Sequence, residues 1–375
     1  MSEIRPSILQ ALEPVAAGVV TENAATVDRG AFPQATLDAL REAGLLGLVT
    51  PIEHGGRGGS FGDAAHVVER IARSCASSAM VVCMHYAGAA VLAAHGSPEV
   101  NRAVAEGRHI STLAFSEAGS RSHFWAPVST ATRSSEGVRL DAVKSWVTTA
   151  HHATAYVWSS QPVEAGGAST IWLVPADTEG LQPVGHFDGL GLRGNDSTPI
   201  RAAGAAIPEG NRLGPDGGGF DVMMGVVLPI FNLMNGACSV GLMQGALARA
   251  TAHVSGSSYE HMELGLRDLP TIRNFLARAR CDADAANALW NVACDAVDAG
   301  SPDAMLRVLQ VKAACADTSL EVVQACMRIC GGAAFRADVA VERSFRDAQA
   351  ANVMAPTSDV LYDFIGKALT GLPLF

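Results

Sequence analysis

The chain changes its hydrophobic pattern twice, and this order constrains the fold more than any other feature. Between residues 14 and 108 the sequence is rich in alanine, and apolar residues recur every three or four positions, as in amphipathic helices. Between residues 110 and 214, short runs of β-branched and aromatic residues alternate with Gly, Ser, Asp and Pro, which favours strands. Long helical patterns then return. We expect a helical domain, a small β domain and a second helical domain.

Some elements are clear enough to place individually. The runs at 155–159 and 170–174 predict strands, because they are rich in aromatic and β-branched residues. Ser301 followed by Pro302 is typical of an N-cap and a first helical position. We therefore predict a helix that starts there and closes at Gly331.

Composition excludes several classes of function. At 375 residues the chain is too long for one core of usual size, so two or three domains are expected. The hydrophobic fraction of 49% against 17% charged residues makes disorder improbable. The net charge of −10 argues against a nucleic-acid partner, since that affinity depends on Lys and Arg neutralising phosphates.

The cysteines and the N-terminus indicate a cytoplasmic protein. The eight cysteines are scattered, with no Cys-x-x-Cys and no zinc-type spacing, so we expect buried free thiols and no metal. The first residues do not resemble a secretory signal. The longest apolar run, at 80–94, is interrupted by His85, Tyr86 and Gly88 and is too short to span a bilayer, so no membrane partner is expected.

The last forty residues carry motifs in a specific order. These are Gly-Gly at 331–332, ERSFRDA at 342–348, MAPTSD at 354–359 and IGKALTG at 365–371. In order and spacing they resemble the C-terminal block of the acyl-CoA dehydrogenase flavoprotein family. In that family this block helps to bind FAD and carries the catalytic glutamate.

Further motifs extend the resemblance over nearly the whole chain. LREAGLLGL at 40–48 is similar to the family's N-terminal helix, and KSWVT at 144–148 is similar to its K-x-W-I-T strand. FSEAGSRSH at 115–123 is a degraded match to TEPxxGSD, whereas GLGLRGNDS at 189–197 resembles the GLRGSDT loop. The stretch 207–220 resembles the link into the C-terminal helices.

The resemblance implies a fold, a cofactor and an assembly. The expected class is α+β: an N-terminal helical domain at 1–110, a middle β-barrel-like domain at 111–214 and a C-terminal four-helix bundle at 215–375. The implied cofactor is FAD, with its adenosine end reaching a neighbouring subunit. A homodimer or homotetramer is implied as well.

The resemblance also implies cofactor-binding residues. In the family, the Trp corresponding to Trp146 packs against the flavin, and the hydroxyl corresponding to Thr148 donates to flavin N5. Such a donor suits an atom that accepts a hydride, because fixed dipoles stabilise the reduced ring. The full implied set is Phe115, Ser116, Ser122, Trp146, Val147, Thr148, Arg328, Gly331, Gly332, Thr357 and Asp359.

Two departures affect the expected phosphate contacts. Arg328 stands where the family usually has Gln, and Ser257 stands near the position of an Arg in a family motif that is absent here. A guanidinium suits phosphate oxygens, so Arg328 could replace the lost charge. The alternative is an Arg in an ion pair on the surface or between helices.

The catalytic position departs furthest from the family. A carboxylate normally removes the proton α to the thioester carbonyl, and here that position is Ala355. The family's alternative glutamate position corresponds to Phe231, and Asn232 replaces an Arg that commonly meets acyl-CoA. We expect Phe231, Asn232 and Ala355 near the substrate, with the backbone N–H of Ala355 still able to polarise the carbonyl.

Histidines are the remaining candidates for a base. His85, His123, His151 and His152 lie in stretches expected to line the site, and imidazole titrates near neutrality. For each of them a purely structural role is the alternative.

Three functions follow from the sequence. The first is an FAD-dependent dehydrogenase of an unusual acyl thioester carried by CoA or by an acyl carrier protein, as in relatives from specialised metabolism. The second is a flavin-dependent monooxygenase or oxidase on the same fold. The third is a non-catalytic flavin-binding subunit. The acyl group, the electron acceptor and any replacement base stay open.

Overall fold

The computed structural model describes residues 4–121, 123–135, 137–261 and 264–374. The N-terminal part is helical, and a π-helical turn, Val15–Val20, joins the first two helices. Ser60 and Asp63 form a reciprocal capping box that starts the fourth helix. The helices are α1 (Pro6–Pro14), α2 (Thr21–Asp28), α3 (Gln34–Glu42), α4 (Phe61–Ala72), α5 (Ala76–His95) and α6 (Pro98–Ala105).

The middle part consists of strands arranged in two sheets. One sheet has the order β1-β4-β5, with β1 parallel to β4, and the other has the antiparallel order β2-β3-β7-β6. The strands predicted at 155–159 and 170–174 are confirmed as β4 and β5. The bounds are β1 (Ser111–Ala114), β2 (Thr130–Ser134), β3 (Gly137–Val147), β4 (Ala155–Ser160), β5 (Thr170–Pro175), β6 (Leu181–Pro183) and β7 (Thr198–Ile207).

The C-terminal part is a helical bundle. The long helices pack along one another, and the last two pack against the third long helix. A small hairpin, β8 (Ser258–Tyr259) with β9 (Leu264–Gly265), connects two of the long helices. The helices are α7 (Gly219–Val222), α8 (Leu228–Gly256), α9 (Pro270–Asp298), α10 (Ala304–Cys330), α11 (Val341–Val353) and α12 (Ser358–Thr370).

The predicted start of the helix before Gly331 was wrong. The N–H of Ser301 donates to the Ala296 carbonyl and so closes α9, while the Ser301 carbonyl accepts from Ala304 in a turn. Helix α10 therefore begins at Ala304, with Asp303 as its N-cap. The predicted end is confirmed, because Gly331 is the C-cap with a positive φ of 56°.

The two helical parts share one apolar core, whereas the sheets have a core of their own. Helices α4 and α5 pack on α8, which joins the N-terminal and C-terminal parts. The expected free thiols are confirmed, and all except Cys281 are buried. This packing leaves the ends of β1 and β3 facing α5, α8 and α11.

Two helical stretches of the described chain, Ala76–His95 and Gly219–Gly256, are long and apolar enough to cross a membrane by length and composition. In their most apolar windows, 94% and 83% of the residues are buried inside the protein. Core helices of this length share that property.

Candidate functional site

A cavity of about 880 Å³ opens between the β domain and the helices. Its walls come from α5, the ends of β1 and β3, the loop at 187–197, the start of α8 and the end of α11. The fold therefore brings together segments that are far apart in sequence. Of the residues expected at a flavin or substrate site, the cavity lining contains Phe115, Ser116, Trp146, Thr148, Phe231 and Ala355.

A bulge in β3 presents Trp146 to this cavity. The pairing of β3 with β7 shifts between Lys144 and Val147, so the backbone at Trp146 leaves the regular ladder. Trp146 has a φ of 55° and is 71% exposed, with Phe187 meeting its ring edge-on. For a large aromatic residue this backbone conformation is an outlier, which persists where the surrounding structure enforces it. The bulge thus leaves an aromatic surface free for a planar partner.

Thr148 follows the bulge and places a hydroxyl in the cavity. Its Oγ1 lies 3.0 Å from Oγ of Ser197, and its carbonyl accepts a 2.8 Å hydrogen bond from Thr112. The next residue, Thr149, donates to the Asn195 carbonyl at 2.9 Å, which ties the loop at 187–197 to the end of β3. Two hydroxyls, from Thr148 and Ser197, are therefore held next to Trp146.

Left-handed backbone conformations concentrate around the cavity. Among the non-glycine residues with positive φ, Arg121, Trp146 and Leu192 line it, and Thr149 and Asp196 lie next to lining residues. Such conformations cost free energy and persist where the surrounding structure enforces them. Their concentration here makes this cavity the candidate functional site.

A buried ion pair supports the same wall from behind. Lys144 Nζ lies 2.5 Å from Glu117 Oε1 and donates to the Ser159 carbonyl at 2.7 Å. Glu117 Oε2 accepts from the backbone N–H groups of Val128 and Ser129. Burial lowers the pKa of Lys144 to about 8. At Glu117, burial alone would raise the pKa, but Lys144 and these donors outweigh that effect and lower the pKa. Both groups are therefore charged at neutral pH.

Ala355 borders the cavity from the helical side. It follows the end of α11, and in the described structure its backbone N–H donates to no acceptor. The lining of the same cavity includes the apolar side chains of Met80 and Met84 from α5, Phe231 from α8 and Met354. An unpaired N–H among apolar groups is suited to bind a carbonyl oxygen.

The lining has no free carboxylate among the described residues. Glu117 contributes to it but is held by Lys144. Arg346 also contributes, and its charge is matched by Asp28 at 2.7 Å. Arg121 lines the cavity without forming an ion pair with a described carboxylate. The site therefore combines an apolar pocket with one unmatched cation.

The candidate histidines lie outside the described lining. His85 is fully buried; it accepts from the Ser111 N–H, and Nε2 donates to the Leu46 carbonyl. Burial lowers the pKa of His85 to about 4, so it is neutral and structural. His151 pairs with Asp196, His152 stacks on Phe32, and His123 meets Trp125 edge-on. The lining thus contains no imidazole base among the residues that the structure describes.

Two predicted site residues have buried side chains. The side chain of Val147 is fully buried in the core of the sheets, because it points away from Trp146 across the strand, so a cofactor could meet its backbone alone. Asn232 is fully buried on α8, and its Nδ2 lies 3.4 Å from the Val308 carbonyl. Asn232 therefore does not line the cavity.

Other predicted residues lie elsewhere in the chain. The guanidinium of Arg328 stacks over Phe275 at 4.5 Å, between α10 and α9. Gly331 and Gly332 follow α10, and Thr357 and Asp359 begin α12. None of these contributes to the described lining, and their expected contact with FAD across a subunit interface stays a prediction. Ser122 lies outside the described residues.

Sequence reasoning missed several residues of the site. Met80 and Met84 were part of an apolar run, and Arg121 lies in the degraded match at 115–123, where it was given no role. Leu192 and Ser197 belong to a loop that was recognised without a role for individual residues. The helical spacing of the two methionines, four residues apart, was the available signal.

The lining fits the isoalloxazine ring of a flavin. The exposed face of Trp146 can pack on a planar ring, and the hydroxyls of Thr148 and Ser197 can bond to its polar edge. The unmatched charge of Arg121 suits a phosphate.

Comparison with known proteins identifies the family of this chain. The family model for the acyl-CoA dehydrogenase N-terminal domain matches residues 5–107, and the model for the acyl-CoA dehydrogenase C-terminal domain matches residues 217–370. Cyclohex-1-ene-1-carbonyl-CoA dehydrogenase of Syntrophus aciditrophicus (strain SB) is 25% identical, over 98% of this chain and 90% of its own.

Solved structures show the same fold. Butyryl-CoA dehydrogenase from Megasphaera elsdenii matches with a TM-score of 0.91 and 19% identity, over 99% of this chain and all of its own. TdsC from Paenibacillus sp. A11-2, solved with FMN and indole, matches with a TM-score of 0.87 and 21% identity, over 98% of each chain. The expected fold is therefore confirmed, and the chain belongs to the acyl-CoA dehydrogenase family of flavin-dependent oxidoreductases.

Proposed function

We propose that this protein is an FAD-dependent dehydrogenase that oxidises an unusual acyl thioester. One observation carries the proposal: the bulge at Trp146 to Thr148 and the unpaired N–H of Ala355 line the same cavity. When bound, FAD supplies a hydride acceptor at N5. The chain supplies a wall for the ring on one side and a donor for the thioester carbonyl on the other.

Several residues are suited to hold the flavin. Trp146 offers its face to the ring, and the hydroxyls of Thr148 and Ser197 offer donors to its edge. Arg121 is the cation that we assign to a flavin phosphate, because no described carboxylate pairs with it. This assignment is separate from the one suggested for Arg328, whose guanidinium packs on Phe275 within the chain and whose contact with FAD across a subunit interface stays a prediction.

The phosphate assignment separates the possible flavins. Arg121→Gln is expected to weaken binding of FAD and FMN about tenfold to a hundredfold, as for loss of a charged hydrogen bond. Binding of riboflavin, which has no phosphate, is expected to be unchanged. Fluorescence titration of the apoprotein with the three flavins measures this. Equal weakening of all three would show that Arg121 supports the loop and not the phosphate.

The part of the cavity that we assign to the thioester is apolar and lacks a free carboxylate among the described lining residues. Met80, Met84 and Phe231 exclude water from it, and the N–H of Ala355 can orient and polarise the carbonyl. The described lining has no carboxylate free to remove an α proton, since Glu117 is paired with Lys144. We therefore propose a substrate whose proton leaves by another route, and not a straight-chain acyl-CoA.

The carrier is proposed to be CoA or an acyl carrier protein. Asn232 is buried and hydrogen-bonded within the bundle, so it cannot replace the Arg that meets acyl-CoA in the family. This favours testing a carrier-protein thioester beside the CoA ester. A homodimer or homotetramer is part of the same proposal, because FAD in the family is shared between subunits. A cytoplasmic location is proposed from the free thiols.

Anaerobic reduction of the bound flavin tests the proposal. The loaded protein is mixed with matched acyl-CoA and acyl-carrier-protein thioesters that differ in chain shape, and oxidised flavin absorbance is followed. Bleaching by either carrier form supports the dehydrogenase, and the faster form identifies the carrier. No bleaching by any thioester, with flavin bound, would contradict it.

A monooxygenase or oxidase is the second candidate, favoured by the lack of a free carboxylate. A flavin that reacts with oxygen does not need the family glutamate, and the TdsC structure with FMN and indole shows that this fold accommodates a ligand other than a thioester. Oxygen consumption with a reduced-flavin donor, without thioester bleaching, would favour this function. Absence of both activities would favour a non-catalytic flavin-binding subunit.

A further inference from the structure

Lys312 is a buried cation whose role is not explained by the flavin site. It lies with no exposed surface on α10, a helix that packs against α8, α9, α11 and α12. Burial lowers the pKa of Lys312 to about 7, although Asp317 opposes this shift. Keeping an ammonium in the interior costs free energy unless its donors are satisfied.

All three donors of Lys312 go to one short segment. Its Nζ donates to the carbonyls of Ala351 at 3.0 Å, Met354 at 3.1 Å and Pro356 at 2.8 Å. An ammonium has three N–H groups, so this set uses its full capacity. The acceptors include carbonyls at the C-terminal end of α11, where a cation also interacts favourably with the helix dipole.

The same segment carries Ala355. The Met354 carbonyl belongs to the same peptide group as the Ala355 N–H, and the Pro356 carbonyl belongs to the second peptide group after it, so the ammonium fixes the backbone on both sides of Ala355. Ala355 borders the cavity and has the unpaired N–H, whereas Lys312 lies behind the turn and outside the described lining. Lys312 is therefore placed to orient the turn and not to act as a base.

Asp317 holds the two ends of this turn. Its Oδ1 accepts from Asn352 Nδ2 at 2.5 Å, and its Oδ2 accepts from the Tyr362 hydroxyl at 2.6 Å. Asn352 lies in the last turn of α11 and Tyr362 lies on α12, so both flanking helices are tied to α10. Lys312 then holds the turn between them.

We infer that Lys312 is a positioning residue that aims the backbone N–H of Ala355 into the cavity. The role of that N–H toward a thioester carbonyl rests on the proposed function, whereas the ordering of the turn does not. Two separate measurements therefore distinguish a failure of this inference from a failure of the proposed function.

The first measurement is hydrogen exchange of the flavin-loaded protein, followed by mass spectrometry. Lys312→Met, which keeps the apolar stem, is expected to accelerate exchange at 351–358 about tenfold to a hundredfold, as for loss of a charge-assisted bond. Lys312→Gln keeps two N–H donors and is expected to restore part of the protection. Lys367→Met is the matched control, because Lys367 pairs with Asp363 on α12 away from the turn.

The second measurement is the absorption of a non-reactive, conjugated aromatic enoyl thioester bound to each variant. Hydrogen bonding to its carbonyl shifts its absorption to longer wavelength, so the shift reports the Ala355 N–H. We expect Lys312→Met to lose most of the shift while affinity changes less than threefold, and Lys367→Met to keep it. Failure of the wild type to bind the probe would contradict the proposed function. The hydrogen-exchange result would then decide the role of Lys312 by itself. Unchanged exchange at 351–358, or equal acceleration along α8 and α10, would overturn the inference.

Discussion

Removing one member of the Glu117–Lys144 pair is expected to make stability depend on pH in a way that the wild type does not. The two charges lie 2.5 Å apart with side chains 0% and 2% exposed. At an effective dielectric constant of 20 their attraction is about 7 kcal/mol. In Lys144→Met this attraction is lost and Glu117 is left as a buried carboxylate.

Protonation limits the cost. Glu117 can take up a proton, so at pH 7 the penalty for neutralising it is about 3.4 kcal/mol, which is 1.36 multiplied by the difference between 7 and its ordinary pKa of 4.5. At pH 5.5 the same calculation gives about 1.4 kcal/mol. In the variant the folded pKa of Glu117 lies above its unfolded value. The folded state then binds more protons, and stability falls as pH rises through this window.

Thermal and urea unfolding of the flavin-loaded protein at pH 5.5 and pH 7 measure this difference. Lys144→Met is expected to be about 2 kcal/mol more destabilised at pH 7 than at pH 5.5. The double variant Glu117→Gln with Lys144→Met removes both charges, so its stability relative to wild type should not vary with pH. Lys367→Met, at a partly exposed pair, should change stability by less than about 1 kcal/mol. Equal destabilisation of Lys144→Met at both pH values would refute the reasoning.

Three further outcomes are expected. Thr148→Val removes a hydroxyl from the cavity and should slow anaerobic flavin reduction about tenfold to a thousandfold, with flavin content retained; unchanged reduction would remove Thr148 from the site. Ala355→Glu restores a carboxylate at the family position but should not oxidise straight-chain acyl-CoA efficiently, and efficient turnover in a steady-state assay would contradict the proposed substrate. Asp347 accepts from Leu192 at 2.7 Å, and burial raises its pKa to about 6. Asp347→Asn keeps an acceptor but does not titrate. In unfolding experiments the stability of this variant relative to wild type should therefore increase by up to about 3 kcal/mol as pH rises from about 4 to 6, because the wild type loses stability over this range. A stability difference that stays constant with pH would show that Asp347 does not titrate there.

The sequence allowed the fold to be predicted because the evidence was local and repeated. Helical periodicity, strand composition and ordered motifs each report on short stretches, and together they indicated the helical, β and helical order. Ser301 shows the limit of local evidence. Its pattern matched a helix start, but its N–H is used to close α9, and a cap depends on which partner the backbone finds.

The site was predicted in part. Trp146, Thr148, Phe231 and Ala355 were placed near a cavity, and the structure brings them to its lining. Asn232 comes from the same kind of alignment but lies outside the described lining, because one step along α8 turns a side chain by about 100° and into the bundle. Neighbouring positions on a helix have different surroundings, and a motif match does not specify them.

By itself, the sequence determined the family, the order of the domains and the loss of the family carboxylate, since each is a matter of which residue types follow one another. The tertiary structure decided which groups meet. It placed Arg121 and Ala355 at one cavity, paired Glu117 with Lys144 behind its wall, and turned Lys312 toward the carbonyls beside Ala355. Contacts between residues so far apart depend on packing, burial and charge compensation, which act only once the chain has folded.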